Sequence, residues 1–417
     1  MKRTVLSFTT IIVSVLLTAT LISCSKNDEP VVPESPVPEE LENVVLVYAA
    51  SGNDLYSNML ADKAEMLRGL KDTDTSKSRL LLFETIPGNV GSGRQAILWE
   101  AVRNKKDNSF YFKELKSFSA DVFTTDPQRL SEVVAYAKEM RKADTYGLIF
   151  WSHGGGWEPG NSEHTYPDDS SNQPVAGDIA DPDYWWGVDI SGDNVVSDKM
   201  NIDELAAALP DNGFHFIWFD CCYMSSIEVA YQLRNKTDFF VAYPTEIYNP
   251  GLNYETAIPY LMNRNPDLEG AARSLYDYYT YFFSPEPAAV TVGVFDMSRI
   301  EEIARIARQA FSSFVAPPSS ELICYSRRGL SANLYDFRQY MSRGADIAGN
   351  TIDTESIEKA FTDFTVCKFA SERDFNNKLI PSDGFSGLST YIYRDNTHTS
   401  LSDYYRRLDW FNAVYPH

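Results

Sequence analysis

The stretch FHFIWFDCCYMSSIE, residues 214–228, decides how this chain is read. Phe214 to Phe219 is apolar apart from His215, Asp220 breaks the run, and two cysteines stand side by side at 221 and 222. A short apolar run with a polar stop is the pattern of a strand buried on both faces. Ser225 followed three residues later by Glu228 has capping-box spacing, which predicts a helix through SIEVAYQLRN. A thiol at that junction lies near a helix N-terminus, where the dipole favours a thiolate. Two small buried cysteines closing a strand are the plainer alternative.

Similar runs recur on both sides: NVVLVYAA (43–50), RLLLFET (79–85), YGLIFWS (146–152) and DFFVAYP (238–244). Between them DLYSNMLADKAEMLRGLKD, DPQRLSEVVAYAKEMRKAD and NIDELAAALPD carry apolar residues at helical spacing. Continuous apolar strands alternating with helices predict an open, doubly wound, mostly parallel α/β sheet. Such sheets bind and react at the carboxyl ends of their strands.

A second strand end carries chemistry as well. IFWSHGGGW (149–157) sends His153 off the sheet into three glycines, whose bare amides can approach a ligand closely. A glycine turn with a capping histidine is the structural alternative. HGGG also occurs as the oxyanion loop of lipase-like hydrolases, but those need a G-x-S-x-G elbow, and GFSG (384–387) lacks the spacing. Alternation along the fourth strand places Phe216, Trp218, Asp220 and Cys222 on one side and His215, Ile217, Phe219 and Cys221 on the other. A disulfide between adjacent cysteines needs a strained peptide, so Cys221 reads as a small packed residue. Cys324 and Cys367 either pair or are buried.

The first residues, MKRTVLSFTTIIVSVLLTATLISC, combine Lys2 and Arg3 with an apolar run and a small-residue site ending at Cys24. That is the layout of an export signal over 1–23, with a membrane span as the alternative. LISC resembles a bacterial lipobox, which implies cleavage before Cys24, lipidation of its sulfur, and a lipid anchor in the cell envelope at the outer membrane. SKNDEPVVPESPVPEELE then reads as a tether over 24–42. With 37 basic and 58 acidic side chains the net charge is −21, which argues against nucleic acid as a partner.

VVLVYAASGNDLYSN, YGLIFWSHGGGW, NIDELAAAL and FDCCYMSSIEVAYQL, in this order, resemble the clostripain-like cysteine peptidases, a branch of the caspase-like fold. YPTEIYNPGLNY, NLYDFRQYM and GLSTYIY resemble later blocks of that family, so the similarity runs over about residues 43 to 417. The resemblance implies that Cys222 is the nucleophile, His153 its general acid/base partner, and the amides of Gly154 and Cys222 the oxyanion donors. No third catalytic residue stands out in the sequence. Family members often cleave after arginine or lysine, and Asp220 matches the acid that lines the pocket for that side chain. A further acid is expected in TEIYNPGLNY; between Glu246 and Glu255 there is none, which leaves Glu246 as a second candidate.

Some relatives use calcium, and the segment from Glu158 to Asp198 holds ten acids and no lysine or arginine before Asp198. No EF-hand spacing appears, so a solvated acidic loop is preferred and no cofactor is required by the sequence. Some relatives cut themselves between histidine and cysteine; Lys199 is the one basic residue between Gly154 and Arg234, hence the expected self-cleavage site. The expected architecture is a caspase-like catalytic domain over 43–297 and a mainly helical lobe over 298–417. The aromatic tail SLSDYYRRLDWFNAVY is expected to pack rather than bind carbohydrate. Together these describe a monomeric, lipid-anchored cysteine endopeptidase acting on peptides or proteins. The competing reading is an inactive, surface-exposed binding protein on the same scaffold.

Overall fold

The computed structural model describes residues 40–88, 93–158, 186–191, 196–283, 288–311, 317–325, 334–348, 354–393 and 400–415. The strands in chain order are β1 (Leu41–Ala49), β2 (Ser78–Ile86), β3 (Gln95–Arg103), β4 (Phe110–Phe118) and β5 (Ala143–Trp151). Then come β6 (Trp186–Ser191), β7 (Val196–Met200), β8 (Phe214–Asp220), β9 (Thr237–Ala242) and β10 (Thr291–Asp296). The last are β11 (Tyr335–Asp336), β12 (Thr365–Ala370) and β13 (Ser389–Thr390). Nine of them form one sheet in the order β12-β10-β9-β8-β5-β1-β2-β3-β4.

The centre of this sheet is parallel, from β9 through β8, β5 and β1 to β2. These are the five strands expected from the apolar runs, and their burial on both faces explains why those runs are continuous. Side chains of β1 alternate between two layers: Val45, Val47 and Ala49 enter one, Val44, Leu46 and Tyr48 the other. The first layer is closed by α1 (Tyr56–Gly69) and, later in the chain, by helices spanning Tyr254–Leu261 and Leu268–Asp277. The second is closed by α2 (Pro127–Met140), α3 (Ile202–Ala208), α4 (Ile227–Gln232) and helices drawn from the C-terminal region. Pro127 suits the first turn of α2, where no amide partner is lost, and Asp126 caps it by accepting from Gln128 N at 2.7 Å.

The expected helix-flanked sheet with a parallel core is present, and antiparallel strands extend it at both edges: β3 and β4 at one, β10 and β12 at the other. In β4 only the two end residues are fully buried, so it lacks the continuous apolar signature of the central strands. The region after 298 is not a lobe apart, because β12 pairs with β10 and its helices share the main core. Of GLSTYIY only Ser389–Thr390 is a strand, and β1 begins at Leu41, inside the segment expected to be tether. The aromatic tail packs inward, with Tyr405 and Trp410 buried and the Trp157 and Tyr405 rings meeting edge to face at 4.8 Å. Among the described residues no helix is long and apolar enough to cross a membrane. Cys24 and the signal segment lie outside the described residues.

Candidate active site

The parallel pairing of β5 with β8 sets Trp151 opposite Asp220. His153 and Cys222 therefore each lie two residues beyond a matched pair, at the carboxyl ends of adjacent strands. The close approach is direct at the next residue. A β-carbon added to Gly154 would stand 2.6 Å from the Cys222 carbonyl oxygen and 3.0 Å from Cys221 Sγ, so only glycine fits there. His153, Gly154, Cys221 and Cys222 thus form one neighbourhood.

Cys222 is half-buried, and its sulfur receives the Ile247 amide at 3.4 Å. An N–H directed at sulfur stabilises negative charge on it. Tyr223 follows with φ of 63°, a left-handed conformation that non-glycine residues rarely adopt. Backbone bonds from Tyr223 N to Thr245 O (3.2 Å) and from Ser225 N to Tyr243 O (3.1 Å) hold the turn against the segment that follows β9. The turn interrupts the alternation of β8: Cys222 packs against the layer that holds Phe219 and Cys221, not the one holding Trp218. Cys221 is buried, and burial pushes its thiol well above the ordinary value, as expected of a packed, unreactive cysteine. Cys324 and Cys367 are both free thiols.

The expected capping box is not formed as read. Ser226, not Ser225, caps α4, accepting from Val229 N at 3.3 Å. Ser225 instead donates to Gly387 O, and Glu228 is buried, accepting from Thr390 Oγ1, Tyr391 N and Tyr405 Oη. The local pattern was overridden by these distant donors. Since α4 spans six residues and Cys222 precedes its cap by four, the dipole contributes less to the thiol than the Ile247 amide does.

His153 has a partner that the sequence did not reveal. Its Nε2 lies 2.9 Å from Asp54 Oδ1, in the SGND turn that follows β1. That turn is fastened on several sides. Asn53 Oδ1 accepts from Leu55 N at 2.8 Å, and Asn53 Nδ2 donates to Ala50 O and Val188 O. Ser152 Oγ donates to Ala50 O and accepts from Val188 N, and Gly187 N donates to His153 O at 3.0 Å. The β6–β7 hairpin thus braces both the aspartate turn and the histidine. The only signal in the sequence was an acid just past a strand end, too common to single out.

Asp220 is buried at 4% exposure. It accepts from Leu252 N (2.8 Å), Tyr243 Oη (3.2 Å) and Tyr254 Oη (3.0 Å). Burial raises its carboxyl to about 7 despite these donors. Gly251, at φ of 59°, lies close enough that a β-carbon would reach 2.7 Å from Asp220 Oδ1. Behind it Asp62 accepts from Trp151 Nε1 at 2.8 Å, with its carboxyl pushed to about 9 by burial and by Asp220. Glu246 immediately precedes Ile247 and accepts from Asn376 Nδ2 at 3.2 Å. Lys199 lies in β7, between Asp198 and Met200, which pair with Asp189 and Trp186, at the point where the register with β6 shifts. Most of the acidic 158–198 segment lies outside the described residues, and among those described no group of three or more His, Cys, Asp or Glu forms a metal site.

The profile of the clostripain family (Peptidase_C11) matches residues 47–413. Clostripain of Hathewaya histolytica is 26% identical over 230 residues, which cover 51% of this chain and 40% of the relative. The chain thus aligns with less than half the length of that relative. A secreted C11 cysteine protease from Bacteroides thetaiotaomicron, solved with an irreversible peptide inhibitor, is 28% identical with a TM-score of 0.73, over 90% of this chain and 99% of that one. An inactive zymogen C11 protease from Parabacteroides distasonis shares the fold, with a TM-score of 0.70 at 24% identity, over 91% of this chain and 100% of that one.

Proposed function

The chain belongs to the clostripain family of cysteine peptidases, and from that premise we propose that it is an endopeptidase using Cys222 and His153, with a preference for arginine or lysine before the scissile bond. The observation that carries the reading is that each residue lies two positions past the matched pair Trp151–Asp220, at the ends of adjacent strands. A thiol and an imidazole so placed supply a nucleophile and the group that moves its proton. In the proposed reaction Cys222 Sγ attacks the carbonyl carbon while the amides of Gly154 and Cys222 receive the oxyanion. His153 then protonates the amide nitrogen as the C–N bond breaks, and water, deprotonated by His153, releases the acyl group. Losing one oxyanion donor typically costs about 10²-fold in rate.

Asp220 is the proposed anchor for the basic side chain, with Glu246 at the margin of the same site. A carboxyl raised to about 7 is poised for this: an arriving cation lowers its pKa and restores the charge-assisted bond. Lipidation at Cys24 and residence in the cell envelope follow from the lipobox-like LISC, and substrates are peptides or proteins reachable from there.

The test is hydrolysis of fluorogenic peptides varied at the residue before the scissile bond, with residues 25–417, Cys222→Ala and Asp220→Asn. The expected result is cleavage after arginine or lysine that disappears in Cys222→Ala. In Asp220→Asn, kcat/KM for the basic peptides should fall roughly 10²-fold while that for a neutral peptide changes little. Cleavage that survives Cys222→Ala would overturn the assignment.

A further inference from the structure

The two-residue reading of the site leaves Asp54 unexplained, and we propose that it is the positioning residue of the active site: its carboxylate holds the Nε2 hydrogen of His153 so that Nδ1 faces Cys222. The proposal rests on the peptidase reading above and adds a third member to it.

The hydrogen-bond chemistry fixes the tautomer. The hydrogen bond from His153 holds the Asp54 carboxyl below its ordinary value, so it is ionised at neutral pH. An ionised carboxylate only accepts, which requires the hydrogen to be on Nε2 and leaves Nδ1 as the basic nitrogen. The thiol proton then passes from Sγ to Nδ1, giving thiolate and imidazolium. The same proton goes on to the amide nitrogen when the C–N bond breaks. Asp54 keeps its charge throughout and stabilises the imidazolium, as the aspartate does in serine triads. Its geometry is built rather than incidental, because Asn53, Ser152 and Val188 fasten the turn that carries it.

Exposure sets the size of the effect. The side chains are 37% exposed for His153 and 59% for Asp54, so solvent screens the pair. Removing the buried aspartate of a serine triad costs about 10⁴-fold; here roughly 10- to 50-fold is expected. Other ionisable groups on the surrounding elements are Cys221 and Cys222 after β8 and Asp189 on β6, which is paired with Arg94. Asp62 and Asp220 lie toward the opposite layer, beneath Trp151.

The experiment measures, against pH, both kcat/KM and the rate of Cys222 alkylation by iodoacetamide, for the native sequence, Asp54→Asn and Asp54→Glu. Asp54→Asn should lower kcat/KM roughly 10- to 50-fold with KM nearly unchanged. Without the negative charge the imidazolium loses its proton more easily, so the histidine-linked step should move to lower pH in both profiles. Asp54→Glu should restore part of each. If that step stays in place in Asp54→Asn, the proposal is overturned, whatever happens to the rate. A melting temperature that falls while the step stays put would mark Asp54 as merely structural. Alkylation needs no peptide, so a chain that alkylates as expected yet cuts no peptide would sink the peptidase reading while leaving this one standing.

Discussion

Adjacent cysteines looked ambiguous in the sequence, and their environments separate them. Cys221 fills the space beneath Gly154 and is held neutral by burial, while Cys222 faces the Ile247 amide. Alternation along β8 put Cys222 forward, although the left-handed turn at Tyr223 breaks that alternation at Cys222 itself. What the sequence could not show at this scale was company: Asp54 for His153, and Asp62 behind Asp220, both contacts between residues far apart in the chain. Asp62 has a measurable consequence. Its carboxyl rises from 3.8 to about 9 on folding, so the folded state holds the proton more tightly than the unfolded chain. That contribution to stability is full below pH 3.8 and is lost as pH rises toward 9. Asp62→Asn keeps an acceptor for Trp151 Nε1 and removes the titration. It should raise stability at pH 8 by on the order of 2 kcal/mol, or about 3 °C in melting temperature, with the gain shrinking toward pH 4.5. Thermal unfolding of both proteins at the two pH values decides it; an equal effect at both would contradict the account.

Among the elements, the central strands were legible as continuous apolar runs and the first four helices by their helical spacing. β3 and β4 were not: β3 carries the buried Glu100 inside its apolar run, β4 is an edge strand half open to water that mixes polar and apolar residues, and the β6–β7 hairpin is short and set in an acidic segment. Yet that hairpin matters most to the site. Trp186 packs on Phe150 at 4.8 Å, Asp189 pairs with Arg94 and accepts from Thr124 N at 2.6 Å, and Ile190 N donates to Gly52 O at 2.9 Å. The proposed self-cleavage site, Lys199, lies within it between the paired residues Asp198 and Met200. A protease needs its substrate extended and unpaired, so the bond after Lys199 should be cut only when the end of the hairpin opens. Lys199→Ala is expected to remain a single chain where the native sequence gives two fragments on a denaturing gel. The same two fragments from Lys199→Ala would exclude this site.

At the scale of the whole molecule, the order of blocks along the chain revealed the family, and the alternation of apolar runs with helical segments predicted the parallel centre of the sheet. The boundary drawn at 298 failed for a physical reason. Helical periodicity reports how a segment buries one face, not whose core it joins, and β12 with its neighbouring helices joins the main one. A net charge of −21 complements basic substrates and so agrees in sign with the proposed preference, though it names no partner. The central claim is that Cys222 and His153 form a reactive pair, and covalent labelling tests it most directly. The protein would be treated with a lysyl chloromethyl ketone peptide, digested, and mapped by mass spectrometry, alongside His153→Ala. The account predicts one adduct, on Cys222, formed at least 10²-fold more slowly in His153→Ala. An adduct on Cys324 or Cys367 instead, or equal rates in the two proteins, would contradict it.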